Sequence, residues 1–435
     1  MLNLYPLLMF VLLIVLLTLE VPVAFALAFI GLVFARLLWG PESMALLIHG
    51  VWSVMNNYNF IAIPLFVFMA TLLERTGFIE DLYDCIYKWL GTLRGGLAIT
   101  TIVVGAIIAA MSGVVAAGIV TLGLIALPQM FRHNYNKKIS LGSVLAGGTL
   151  GQLIPPSQTM IVYGAMTGVS VGKLFAGGLS TGLVLVMLYS LYVLIRSFLN
   201  KDLCPAVKDT ILLKEKLSSL RMIIVPLLIV ISVLGSIFSG AATPVEGAGI
   251  GVCGVLFFGL IMRRLKLPQV TSSGFDTLKV TAMVGWIIIG ALTFGYVFSG
   301  IGGKQLVMDI AMAMPFGRWG AYLVFTLFIL FLGMFLDNSA IIVIAAPIVS
   351  PVMVNLGFDP LWWGLVFMVL SQIAYLSPPF GYSLFYLKGV SPKDVTLQDI
   401  YLAALPFLGL QIIGVLLLTL IPKIGTWLPN LLMSR

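Results

Sequence analysis

Apolar residues fill most of this chain in long runs, and the sparse polar positions show where each run must turn. Residues 4–39 exceed the roughly 20 needed for one membrane span, and Glu20 with Pro22 predicts two helices there. A polar, Trp-containing segment follows (41–59), then a span over 60–73. Residues 77–90 put Phe78, Ile79, Leu82, Tyr83, Ile86 and Leu90 on one face, away from Glu80, Asp81, Asp84 and Lys88. That spacing predicts an amphipathic helix lying at the interface. Residues 97–130 are too many for one span and too few for two. With a small, polar centre at Met111-Ser112-Gly113, they predict a re-entrant hairpin. The span over 141–166 carries Pro155-Pro156 in its middle, and 174–195 is unbroken.

After two linking spans (222–238 and 245–262), the same order returns. A span covers 282–298, and a short amphipathic segment (304–314) sets Leu306, Val307 and Ile310 on one face. Residues 321–353 are again of in-between length, with Leu336-Asp337-Asn338-Ser339 at the centre. The span over 361–387 is interrupted at Pro378-Pro379, and 402–421 follows. Tyr163 and Tyr386 sit at the same offset after the two proline pairs. The division is therefore an N-terminal scaffold (1–58), a first repeat (59–196), a cytoplasmic loop with linking spans (197–280), a second repeat (281–421) and a tail (422–435). Two linkers between the units predict that the repeats are inverted in the membrane.

Composition agrees with the pattern: 60% hydrophobic and 9% charged residues define an all-α polytopic membrane protein. The N-terminal run lacks a charged leader and reads as a first span rather than a cleaved signal. The net charge of +8 is an orientation signal, not a nucleic-acid footprint. Predicted outer positions hold Arg36, Lys173, Lys304, Arg318, Lys423 and Arg435. The rest of the 24 Lys and Arg fall on predicted inner loops, which places both termini outside. Cys85, Cys204 and Cys253 are scattered, so neither a disulfide framework nor a zinc site is expected. His49 and His133 fall at interfacial or loop positions. No HExxH, Walker A or Gly-x-Gly-x-x-Gly occurs, and no hydrolase dyad is visible, so an enzyme is not expected.

Proline lacks an N–H and clashes with the preceding helical turn, so each pair must break a helix inside the bilayer. Backbone freed at that depth is tolerated where protein buries it or where it lines a polar cavity. Each hairpin tip ends one arm in unpaired carbonyls and starts the next in unpaired N–H groups. Carbonyls and hydroxyls suit a hard cation such as Na⁺, and N–H groups suit an anion. One tip and one proline break make one cation site, so two repeats make two. The first site is expected at Ser112, Gly113, Gly151, Pro155 and Ser157. The second is expected at Asp337, Asn338, Ser339, Ser377, Pro378 and Gly381. Asp337 is either a cation ligand or a helix cap. Thr149, Gln152, Gln158, Thr159, Gln372 and Tyr382 are candidate polar walls for a substrate. Glu246, at the start of a linking span, reads as a cap.

These residues resemble the large membrane subunit of the tripartite ATP-independent periplasmic (TRAP) transporters. The likeness covers nearly the whole chain and is strongest in Ala146-Gly-Gly-Thr-Leu-Gly-Gln-Leu-Ile-Pro-Pro-Ser157, Leu332-Gly-Met-Phe-Leu-Asp337, and Gly357-Phe-Asp-Pro360 leading to Ser377-Pro-Pro-Phe-Gly381. The resemblance implies Na⁺-driven uptake of an organic anion, a carboxylate or a sulfonate, across the inner membrane. It implies a periplasmic substrate-binding protein and a small four-span membrane subunit as partners. It also implies an elevator mechanism, in which hairpins and broken spans move as a block, and no cofactor beyond Na⁺ as coupling ion. The first tip, Ser112-Gly-Val-Val, carries fewer hydroxyls than the Gly-Ser-Ser-like tips of that family. A stand-alone Na⁺/dicarboxylate-type symporter of similar architecture is the alternative.

Overall fold

A computed structural model describes residues 4–207, 212–378 and 381–433. Pro379 and Phe380 of the second proline pair lie outside these residues, as do Lys208 and Arg435 among the loop cations. The chain is all-helical, and among the described residues eight helices are long and apolar enough to cross a membrane.

The first run divides as expected, into α1 (Tyr5–Thr18) and α2 (Val23–Trp39), with Glu20 at φ 62 and Pro22 between them. The polar segment after it forms a helix, α3 (Ala45–Met55), flanked by single 3-10 turns. Next come α4 (Ala62–Arg75) and the amphipathic α5 (Phe78–Leu90). Phe78, Ile79, Leu82 and Tyr83 of α5 are buried. Arg264 pairs with Asp81 and lies 5.0 Å from the Phe78 ring centre, pinning this helix to the second linking span.

The first hairpin is α6 (Gly96–Ser112) and α7 (Val115–Arg132). The first broken span is α8 (Lys137–Thr149) and α9 (Gln158–Thr167), followed by the unbroken α10 (Val171–Leu199). The linking spans are α11 (Leu213–Phe238) and α12 (Pro244–Ile261). Glu246 is the cap expected of it: its carboxylate accepts from the Thr243 N–H at 2.7 Å, closing a capping box.

The second set runs α13 (Leu267–Gly300), α14 (Gly303–Met312), the hairpin α15 (Arg318–Gly333) and α16 (Asn338–Asn355), the broken span α17 (Pro360–Leu376) and α18 (Tyr382–Val390), and α19 (Leu397–Leu420). The order of α4–α10 thus returns in α13–α19. Several elements differ from expectation, α11 among them, which starts at Leu213 rather than at residue 222. α13 is 34 residues long, because a polar stretch from Leu267 continues the span over 282–298 as one helix. The tail forms a ten-residue helix, α20 (Lys423–Leu432), packed against α10.

The hairpin arms, at 16 to 18 residues, are longer than half-helices. The ten-residue α9, about 15 Å of helix, lies beyond the first break.

α8 is wedged between both arms of the first hairpin. A side chain on Gly105 of α6 would come within 2.6 Å of the Gly147 main chain, and one on Gly148 would come within 2.9 Å of the Ile119 main chain in α7. Only glycines permit backbones this close. Lys137 Nζ lies 2.9 Å from Asp394 Oδ2 and ties the start of α8 to the loop after α18. That hydrogen-bonded ammonium holds the Asp394 carboxyl below its ordinary range.

Candidate functional site

At the first crossing, α6 ends at Ser112, and Gly113 turns the chain at φ +62, its N–H donating to the Ala109 carbonyl at 3.0 Å. This left-handed backbone favours glycine. Val114 is extended and α7 starts at Val115. Ser112 is buried, its hydroxyl accepting from the Val114 N–H at 3.5 Å. Beside this tip, α8 gives way to a 3-10 turn over Leu150–Gln152, then to non-helical chain with a cis Pro155–Pro156 bond.

Tip and break touch through main chain. A Cβ on Gly113 would lie 1.9 Å from the Pro156 carbonyl oxygen, and one on Gly151 would lie 3.6 Å from the Val115 nitrogen. Ser157 restarts the helix: its hydroxyl accepts from the Met160 N–H at 3.4 Å and donates to the Gln152 carbonyl at 2.8 Å. Thr159 Oγ1 is 2.8 Å from the same hydroxyl. The structure therefore gathers Ser112, Gly113, Gly151, Pro155, Ser157 and Thr159. Gln158 is half-buried at the head of α9. The Gln152 amide is 1% exposed, and neither its oxygen nor its nitrogen has a protein partner. Leaving buried polar atoms unpaired costs about 1–3 kcal/mol each.

At the second crossing, α15 ends at Gly333, and a side chain there would meet the Ala374 methyl at 2.0 Å. The second tip thus rests on the last turn of α17 before its break. Asp337 begins α16 as its N-cap, Oδ2 accepting from the Ser339 N–H at 3.0 Å. Of its two readings, the cap is present in the structure. The next residue, Asn338, is 4% exposed, and both its amide atoms lack a protein partner. Ser339 is half-buried.

On the broken span, the Ser377 hydroxyl donates back to the Ile373 carbonyl at 2.8 Å, and the Gly381 N–H donates to the Ser377 carbonyl at 3.0 Å. Pro378 is half-buried between them. The rings of Tyr375 and Tyr382 stack across the break, 6.0 Å apart. Tyr382 and Leu336 line a cavity of about 580 Å³ that also meets Glu20 and Val21, between the second tip and the α1–α2 turn.

The two crossings join in the middle. Gln372 Nε2 of α17 donates to Thr149 Oγ1 of α8 at 3.1 Å, and both side chains are fully buried. These two expected cavity walls therefore face each other in a closed contact. A second tie escaped sequence reasoning: the Tyr163 hydroxyl is 3.0 Å from Ser350 Oγ, linking α9 to the second arm of the other hairpin. The repeated tyrosine after each proline pair was the available signal. Among the described residues no cluster of three or more His, Cys, Asp or Glu gathers anywhere. A cation at either crossing would be held by carbonyls and hydroxyls, with Asp337 as a nearby carboxylate at the second alone.

Two hairpins seated on two interrupted helices, in an all-helical multi-pass chain, define a membrane transport protein. Its family is explicit: residues 10–424 match the tripartite ATP-independent periplasmic transporter, DctM component, and the chain belongs to that family. It is 33% identical to the C4-dicarboxylate TRAP transporter large permease protein of Pseudomonas aeruginosa, over 91% of each chain. It is 31% identical to the Vibrio cholerae protein of the same description, over 98% of each. The solved structure of the Alcanivorax borkumensis YdaH transporter overlays with a TM-score of 0.66 at 15% identity, covering 94% of this chain and 98% of that one, which shows a shared fold. The relatives are permeases rather than enzymes. The chain is accordingly a multi-pass inner-membrane component of a three-part system, working with a small membrane subunit and a periplasmic binding protein.

Proposed function

We propose that this chain is the Na⁺-coupled large permease that carries an organic anion, a carboxylate or sulfonate, inward after a periplasmic binding protein delivers it. The observation that carries the reading is the first tip: Gly113 seated on the Pro156 carbonyl, with helix ends of opposite polarity converging there. Two such crossings supply two cation sites, at the residues named for each tip. The unpaired amide of Gln152 beside the first of them supplies a neutral donor for the anion. The C4-dicarboxylate named for both relatives is of the expected class.

Movement follows the elevator scheme, with the two repeats inverted. The block α6–α9 with α15–α18 slides against the remaining spans, which a four-span small subunit braces. The reading is tested by uptake into proteoliposomes holding all membrane components and the binding protein. Uptake requires external Na⁺ and collapses when the gradient is dissipated; equal rates in choline buffer would remove the coupling.

A further inference from the structure

The seam between α13–α14 and the hairpin block holds a crevice of about 290 Å³, lined by none of the residues named at the two crossings. Ser53, Asn57 and Ser299 supply polar groups from one side; Met166, Val343 and Pro347 supply apolar walls from the other. Lys304, at the head of α14, stands at its edge. At Ser53 and Tyr296 the crevice continues into a second hollow that opens past Trp52.

Lys304 is exposed, and no ion pair among the described residues uses it. The carboxylate nearest in sequence, Asp309, is hydrogen-bonded by Gln305 at 2.8 Å. An ammonium without a counter-charge, beside hydroxyls and an amide and backed by apolar walls, suits a small anion with a short carbon body. The volume admits roughly ten heavy atoms at about 30 Å³ each. Lys304 also lies on the predicted outer face, where a delivered substrate arrives.

We infer that this crevice is an outer waiting site for an organic carboxylate or sulfonate, with Lys304 as its counter-charge. The inference rests on the proposed anion cargo but not on Na⁺ coupling. It adds a binding position that the anion occupies before reaching the crossings.

The test uses the full chain, with its small subunit, in proteoliposomes. The exposed Cys253 is replaced by serine, and Ser53→Cys provides a reporter thiol; Cys85 and Cys204 are buried. The probes are methanethiosulfonate ethylsulfonate, itself a small organic sulfonate, and its ethyltrimethylammonium counterpart. The anionic reagent should label the reporter faster than the cationic one. That ratio should fall about five-fold in Lys304→Gln, persist in Lys304→Arg, and be untouched by Lys423→Gln, another outer cation. Millimolar succinate or isethionate should slow labelling when Lys304 is present. A ratio unchanged in Lys304→Gln, an equal fall in Lys423→Gln, or no protection by either anion would overturn the site. Because labelling needs no gradient, these outcomes are separate from the Na⁺ test of transport.

Discussion

At the first crossing the touching atoms belong to the main chain: Gly113 against the Pro156 carbonyl, Gly151 near the start of α7. At the second they include side chains: the methyl of Ala374 under Gly333, and the Asp337 carboxylate that begins α16. The first crossing is closed and carries no carboxylate. The second borders a cavity of about 580 Å³ and sets a carboxylate at its tip. Two crossings with one layout thus divide the labour. One fixes geometry through backbone that no side chain can replace, and the other offers a charge that chemistry can edit.

The sharpest way to break this contrast is at the backbone crossing. Gly113→Ala combines a left-handed residue with a 1.9 Å clash and should cost about 2–4 kcal/mol, read as a lower unfolding midpoint with loss of uptake. Near-normal transport by that variant would show that the first tip does not need its close contact. The charge of the second crossing is separated from its capping role by two substitutions. Asp337→Ala removes the cap, at about 0.5–2 kcal/mol, and should also raise the Na⁺ concentration for half-maximal uptake by about tenfold. Asp337→Asn keeps a capping oxygen and should show the Na⁺ effect alone. If Asp337→Asn keeps wild-type Na⁺ dependence, the carboxylate is a cap and nothing more.

The joint between the crossings should matter less. Gln372→Met removes one hydrogen bond to Thr149, at about 1 kcal/mol, and a double-mutant cycle with Thr149→Val should recover most of it as coupling. The smallest effect is expected outside the membrane. Asp394 is held below the usual carboxylate range, so its pairing with Lys137 is present at neutral pH and is lost as pH falls through that lowered value. Asp394→Asn should leave uptake at pH 7 near wild type and flatten any change in thermal midpoint below pH 4.

Much of this molecule was legible because its signals are local. Proline pairs, in-between lengths and small polar centres mark both hairpins and both interruptions, and the helices begin and end within a few residues of where these signs place them. Glu246 is read from its place at the start of a linking span. The opaque parts have weaker local cues. The stretch from Leu267 is polar enough to look like a loop, yet Ser273 and Thr277 are buried along one face of a continuous helix. α20 contains Pro429 and lies where a tail was expected, and it is held by packing against a distant element. The contacts of Gln372 with Thr149 and of Tyr163 with Ser350 join residues far apart in the chain, a relation no spacing rule expresses. The unpaired amides of Gln152 and Asn338 are also properties of the assembled fold, since a sequence shows an amide but not whether its neighbours answer it.

The glycine-to-glycine seat of α8 between α6 and α7 has a practical corollary. Where backbones mesh this closely few rotamers can readjust, so under the proposed mechanism those three helices would travel together. Spin labels at the exposed Thr92, just before α6, and at the exposed Lys138 of α8 would then serve as a ruler of constant length, against which the displacement of any other helix can be calibrated.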